Sequence, residues 1–429
     1  DAGSVTVEDG TVTANGGYGA AGIGAGQGGN GGSVTIEDGT VTANGGEHGA
    51  GIGGGEQIWL EGGNGGEITI NGGDVTANGG EYAAGIGSGD NSANYGEEGG
   101  MNENVTGGNI TINGGDVKAK GGYQGAGIGG GNHGDGGVII INDGKVYATT
   151  TTDEWGYSFG AGIGGGSFAD GGTVTIYGGD VTALGGMYSA GVGGGYDGVY
   201  GFGHGGIFII YGGKLYAVGG AYAAAIGGAY LGNGGSITLA GGETHAIAGY
   251  GASALGGGFG GLGGDISIYD GNREAQTMLE AYAYGNKWAI DITGDTTGVE
   301  NVINGRFRGK VPGLDVANKT QLTQLEIVDA NGNVISVMML PLVTISETQI
   351  LYRAFASTVF SGGSYRVRNS DGLYGNLYTE YDELENGTLA AQRDRVYTVK
   401  NDEMLNADDI IFVEPEPEPA VPDDEPSGG

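Results

Sequence analysis

Residues 67–89 read EITINGGDVTANGGEYAAGIGSG, and the punctuation of that stretch decides the fold. An apolar-Thr-apolar triplet, Ile68-Thr69-Ile70, runs into a glycine pair. A second alternating run, Val75-Thr76-Ala77, runs into another. A third segment, Ala84-Gly85-Ile86-Gly87, follows an aromatic residue. Alternation with period two over so few residues is a strand signal, and glycine pairs are turn signals. One unit therefore holds three short strands separated by tight turns.

The unit recurs along the chain. Its triplets begin at Val5, Val34, Ile68, Ile110, Ile139, Val174, Phe208, Ile237 and Ile266, spaced by 29, 34, 42, 29, 35, 34, 29 and 29 residues. Stacking such units predicts an all-β fold: a parallel β-helix of nine or ten three-stranded coils, right-handed by the general chirality of parallel crossovers. No copy contains an uninterrupted helical stretch, which excludes an α-solenoid, and a propeller blade needs four strands where each copy has three. The expected organisation is a β-helix over 1–290 and a β-sheet or sandwich-like cap over 291–413. A linker, EPEPEPAVPDDEPSGG, follows over 414–429. In the cap, strand-like runs lie at 325–328, 334–340, 364–368 and 395–399. The alternating Glu-Pro segment stays extended, and its position implies a further module beyond it.

Composition agrees with this architecture. Glycine supplies 105 of 429 residues, and the 7 prolines show no Gly-X-Y period, so collagen is excluded. The 38% hydrophobic content is enough for a core. A net charge of −35 argues against nucleic acid and against anionic membrane surfaces as partners. It fits an extracellular, secreted or cell-surface protein. With no cysteine there is neither a disulfide nor a thiolate metal site. The longest apolar run, 334–345, is too short for a membrane span.

Alternation assigns faces. In the first strand the apolar residues point inward and the threonine outward. In the second, a column of alanines (Ala14, Ala43, Ala77, Ala119, Ala148, Ala183, Ala217, Ala246, Ala275) reads as an inward stack. In the third, Ala50 and Ile52 point inward, which leaves Gly51 and Gly53 outward. Repeated over eight coils, this predicts an exposed glycine ribbon, with tight coiling or a packed neighbouring chain as the alternative explanation. An aromatic or His precedes each copy: Tyr18, His48, Tyr82, Tyr123, Phe159, Tyr188, Tyr222 and Tyr250. The loops that follow carry Trp59, Tyr95, Tyr196 and Tyr200, and an insertion carries Trp155. The expectation is a glycine-floored groove with aromatic banks. Coils repeat every ~4.8 Å, a length comparable to one β-linked pyranose, and sugars stack their C–H faces on aromatic rings. The candidate glycan-binding residues are Trp59, Trp155, Tyr196, Tyr200, Tyr82, Tyr188, Tyr222 and Tyr95. The alternative for the tyrosine column is a structural ring stack.

Other constellations carry less. The acidic insertion with Asp90, Glu97 and Glu98 can offer oxygen ligands to calcium, but it lacks the EF-hand pattern and a solvated acidic loop is the preferred reading. No cofactor is required by any motif. The four histidines fall in different repeats, with no His-x-x-His pair. Bases are sparse in the coils, so a lyase or hydrolase is the third reading, behind a non-catalytic binding module and a structural or adhesive surface β-helix. The threonine columns suit strand packing better than an ice-binding grid, since Ile140 and Ile209 interrupt them.

Copies of ITINGGDVTANGG with AGIGGG, ending in a Glu-Pro linker, resemble the glycine-rich β-helical xylan-binding modules attached to xylanase catalytic domains of gut bacteria. The resemblance covers about residues 1–290. It implies a secreted carbohydrate-binding module that targets an appended glycoside hydrolase to plant cell-wall xylan or a related β-linked glycan. It supplies no residue-level motif.

Overall fold

A computed structural model describes residues 2–58, 63–92, 105–196, 203–269, 277–284 and 290–291, and beyond these only the backbone of eight strands between 292 and 399. The repeats form a parallel β-helix. First strands (Ser4–Val7, Ser33–Ile36, Glu67–Ile70 and their successors) stack in chain order into one sheet. Second strands (Thr11–Asn15, Thr40–Asn44, Asp74–Asn78 and onward) stack into another, and the two-residue third strands (Ile23–Gly24 to Leu255–Gly256) into an eight-stranded third. Register follows the repeat: Val5 pairs with Val34, Val34 with Ile68, Ile68 with Ile110, and so on to Ile237 with Ile266.

Each coil sends the same set inward. In the third coil Ile68, Ile70, Val75, Ala77 and Ile86 are all fully buried, and like residues of neighbouring coils join them in one continuous core. Threonine on the first strand stays half-exposed, as alternation requires. The alanine column is correct through Ala246, but its ninth member is Ala281, which pairs with Ala246, rather than Ala275. Eight residues separate Gly264–Ile268 from Thr277–Tyr284, where the other coils have two or three between first and second strands, so counting along the chain slips there. Ala275 itself lies outside the described residues.

Polar ladders run along the coil edges. Asn15, Asn44 and Asn78 pass side-chain hydrogen bonds of 2.8 Å from coil to coil. Glu37, Asn71, Asn113 and Asn142 do the same at 2.7 Å. Stacked amides satisfy one another and fix the register of the turns.

The second sheet continues past Thr277–Tyr284 with antiparallel Ile350–Ala356, Val302–Gly309 and Leu377–Thr379, so its last parallel strand is paired. Strands Gln324–Val328, Val334–Met339, Gly363–Arg368 and Arg395–Val399 make a separate four-stranded antiparallel sheet. Those four lie where alternation placed strands. The linker over 414–429 lies outside the described residues.

Candidate functional site

The glycine ribbon is not a surface. Gly51, Gly53, Gly85, Gly87, Gly127 and Gly129 are buried. A methyl on Gly53 would lie 2.1 Å from the Gly87 carbonyl oxygen, and one on Gly51 would lie 2.7 Å from the backbone nitrogen of Asn78. The column from Gly24 to Gly256 has φ between +128° and +147°, which side chains rarely adopt. The third strand is thus sandwiched between the end of the second strand and the returning loop. The neighbouring chain that the glycines admit is the protein's own backbone. This removes the groove floor expected from alternation, which assumes a sheet with one solvated face.

The two aromatic banks also collapse into one. The residue six positions after the first alanine of AGIG donates its backbone N–H to the turn of an earlier coil. Examples are Asn132 to Tyr82 at 2.7 Å, Tyr196 to Phe159 at 2.9 Å and Tyr230 to Tyr188 at 2.9 Å. This draws the loop column beside the turn column. The result is a ring ladder along one edge: Tyr18–His48 (4.8 Å between centroids), His48–Tyr82 (4.8 Å, nearly parallel), Tyr82–Tyr123 (5.4 Å) and Tyr123–Phe159 (6.5 Å). It continues through Phe159–Tyr196, Tyr188–Tyr196, Tyr188–Tyr222 and Tyr222–Tyr230 to Phe259. Tyr82, Tyr188, Tyr196 and Tyr222 are half-buried within it, ring on ring. Burial, then the hydrogen bond with Tyr82, pushes the Tyr123 hydroxyl well above the usual tyrosine range.

The ladder is open at particular rings. Tyr18 is 62% exposed, and Tyr250 and Phe259 are exposed at the far end. Midway, Asp153 caps a turn through bonds to the backbone of Trp155 (2.9 Å) and Tyr157 (2.8 Å). That turn holds Trp155 outward, 73% exposed, while Tyr157 stacks on Phe159 at 6.2 Å. Of the expected site residues, the structure gathers Tyr82, Tyr188, Tyr196 and Tyr222 into the ladder and sets Trp155 near its middle. Trp59, Tyr95, Tyr200, Glu97 and Glu98 lie outside the described residues.

Asp90 is buried, against the expectation of an acidic loop in water. Its carboxylate accepts from His48 Nδ1 at 2.7 Å, Ser92 Oγ at 2.7 Å and Asn132 Nδ2 at 3.1 Å. The hydrogen bond to Asp90 holds the His48 imidazole above its usual range, against the opposing effect of burial. Glu56 comes into the same cluster, its Oε1 3.9 Å from His48 Nδ1. Sequence reasoning missed this convergence because Asp90 lies 42 residues beyond His48, in the next coil. The available signal was the repeat register: Gln27, Glu56, Asp90 and Asn132 occupy the same position of successive coils.

A second exposed aromatic strip was also missed. Tyr177 and Tyr211 stack at 5.0 Å just after their first strands, in the column that holds Asn71 and Asn113, and Tyr269 continues it. Tyr147 and Tyr216 are exposed on the second sheet.

Among the described residues no helix is long and apolar enough to cross a membrane. No curated protein and no solved structure matches the chain. Seven segments, residues 5–27, 34–56, 68–90, 110–132, 139–167, 171–196 and 208–230, match the family model of the beta helix repeat. Together with the parallel sheets, these repeats make the molecule a parallel β-helix, a fold that fits carbohydrate binding or surface adhesion.

Proposed function

We propose that this protein is a non-catalytic carbohydrate-binding module. Its ligand is xylan or a related β-linked glycan of the plant cell wall, met outside the cell. The observation that carries the reading is the aromatic ladder with outward rings at Trp155, Tyr157, Tyr250 and Phe259. Rings disposed along a coil axis of ~4.8 Å rise can meet successive sugars of an extended chain. Tyrosine hydroxyls and the acidic surface supply partners for sugar hydroxyls. By the resemblance in its repeats and linker, the module directs an appended glycoside hydrolase to its substrate.

The runner-up reading loses its specific support. Adhesion through a bare glycine ribbon needs that ribbon exposed, and it is buried. Hydrolysis needs carboxylates that a glycosidic bond can reach. Among the described residues Glu56 and Asp90 converge at 8% and 1% exposure, so that pair is not one a hydrolase would use.

Affinity electrophoresis in gels containing soluble xylan tests the proposal. Retardation is expected, and Trp155→Ala should weaken it by up to about tenfold, the worth of one stacked ring. Tyr177→Ala on the other edge serves as control. Unretarded migration across xylans and glucans would exclude glycan binding. Equal loss in both variants would move the site off the ladder.

A further inference from the structure

At the N-terminal end of the ladder the position that later carries Tyr196, Tyr230 and Phe259 is polar. There Gln27, Glu56, Asp90 and Asn132 follow one another coil by coil, beside His48. We propose that His48, Glu56 and Asp90 form a binding site for a divalent transition-metal cation of the Zn²⁺ type.

Four observations support the site. The ligand atoms of the three residues lie within 4.8 Å of one another. The closest pair, His48 Nδ1 and Asp90 Oδ2 at 2.7 Å, must open only slightly to admit an ion bonded at about 2.0–2.2 Å to each. Two carboxylates are buried against a single imidazole, an arrangement that leaves negative charge in a low-dielectric setting unless a cation joins it. Glu56 is held through Oε2 by Gln27 Nε2 at 2.7 Å, which turns Oε1 toward the imidazole at a distance too long for a hydrogen bond.

The surrounding shell has the form a metal site requires. His48 Nε2 lies 2.9 Å from the Tyr18 hydroxyl, and a proton kept on Nε2 lets Nδ1 ligate once the ion displaces the proton that Nδ1 shares with Asp90. Asn132, 4% exposed, sets its amide nitrogen on Asp90, and its Oδ1 is buried without a partner. That orphaned acceptor belongs to the same amide that holds Asp90, and a water bound to the ion would satisfy it. The donor set decides the metal. Imidazole nitrogen with two carboxylates suits Zn²⁺ and its neighbours, whereas calcium takes six to eight oxygens. The ion would sit at the head of the ladder, with one ligand, His48, stacked on Tyr82 and tilted against Tyr18.

Calorimetric titration of the full chain, stripped with a chelator, tests this with ZnCl₂ and separately with CaCl₂. One strong Zn²⁺ equivalent is expected, with Ca²⁺ weaker. Glu56→Gln and His48→Gln should each weaken Zn²⁺ by at least about tenfold. Circular dichroism of the metal-free variants shows whether they are folded, and Glu56→Gln keeps the shape of the side chain should the His48 variant unfold. With Co²⁺ as the probe, visible absorption bands of a nitrogen-ligated site should appear in the wild type and vanish in the variants. Absence of a strong Zn²⁺ equivalent overturns the proposal. So does an unchanged Zn²⁺ affinity in a folded Glu56→Gln, or a site that prefers Ca²⁺.

Discussion

A methyl group on Gly129 would sit 2.1 Å from the carbonyl oxygen of Gly164, on a backbone with φ +128°. Nothing can move aside, because the obstacle is the main chain of the next coil, itself hydrogen-bonded. Gly129→Ala should therefore cost about 4 kcal/mol, at the severe end for single substitutions. Gly26 meets no atom within 4 Å of the same imagined methyl, and Gly26→Ala should fall within about 0.5 kcal/mol of wild type. Urea unfolding of the two variants measures the difference. Equal stabilities would mean that the third strand is looser than its contacts imply. The contrast separates two uses of one residue type. Some glycines serve open turns, whereas the third-strand glycines let backbone touch backbone.

At the scale of the strand, much was legible. Every first-strand pairing from Val5↔Val34 to Ile237↔Ile266 follows from aligning the triplets, because a parallel coil places like residues side by side. The third strand was misread because its two-residue pairing, such as Ile52–Gly53, is too short for a sheet face and its glycines leave the extended region. The ring stack was anticipated as an alternative. Its merger with the loop column was not, since that depends on backbone bonds between coils. The second sheet shows what register adds electrostatically: Asp116, Lys145, Asp180, Lys214 and Glu243 face one another in sequence, alternating in sign where identical charges would repel. Glu243 is held below its ordinary value of 4.5, first by the His245 hydrogen bond at 2.8 Å and also by Lys214 at 3.0 Å, against burial. A lowered carboxylate stabilises the fold above its ordinary pKa, and that contribution disappears as pH falls through the folded value. Lys214 is largely exposed, so screening limits the effect to about 0.5–1 kcal/mol. Glu243→Gln should be less stable than wild type by that amount near pH 6, and the gap should close as the pH falls below the ordinary value and through the lowered one. A gap that persists in acid would assign the loss to packing instead.

For the molecule as a whole, each coil contacts chiefly its neighbours, so stability should be close to a sum over coils and interfaces. The repeat length then becomes a testable unit. Removing residues 208–236 joins Ile207 to Ile237, and Phe208 and Ile237 already pair across adjacent coils. The new junction therefore presents Ile237 to Val174 in the register Phe208 now holds. The same cut removes Tyr222 and Tyr230 but brings Tyr250 beside Tyr188 and Phe259 beside Tyr196, so the ring ladder closes over the gap. Strand circular dichroism and cooperative melting should survive, with the molecule shorter by about 5 Å. Removing residues 208–219 deletes less chain but leaves the third strand Ile226–Gly227 in a coil without its first two strands. The first-sheet strands Thr173–Ile176 and Gly235–Leu239 would then have no partner between them. That variant should lose cooperative melting and hydrogen-exchange protection despite its smaller excision. If the two deletions behave alike, in either direction, the coil is not the unit of this fold. If they separate as expected, a change in coil number becomes the cleanest way to shorten the aromatic edge and ask how many sugars it meets.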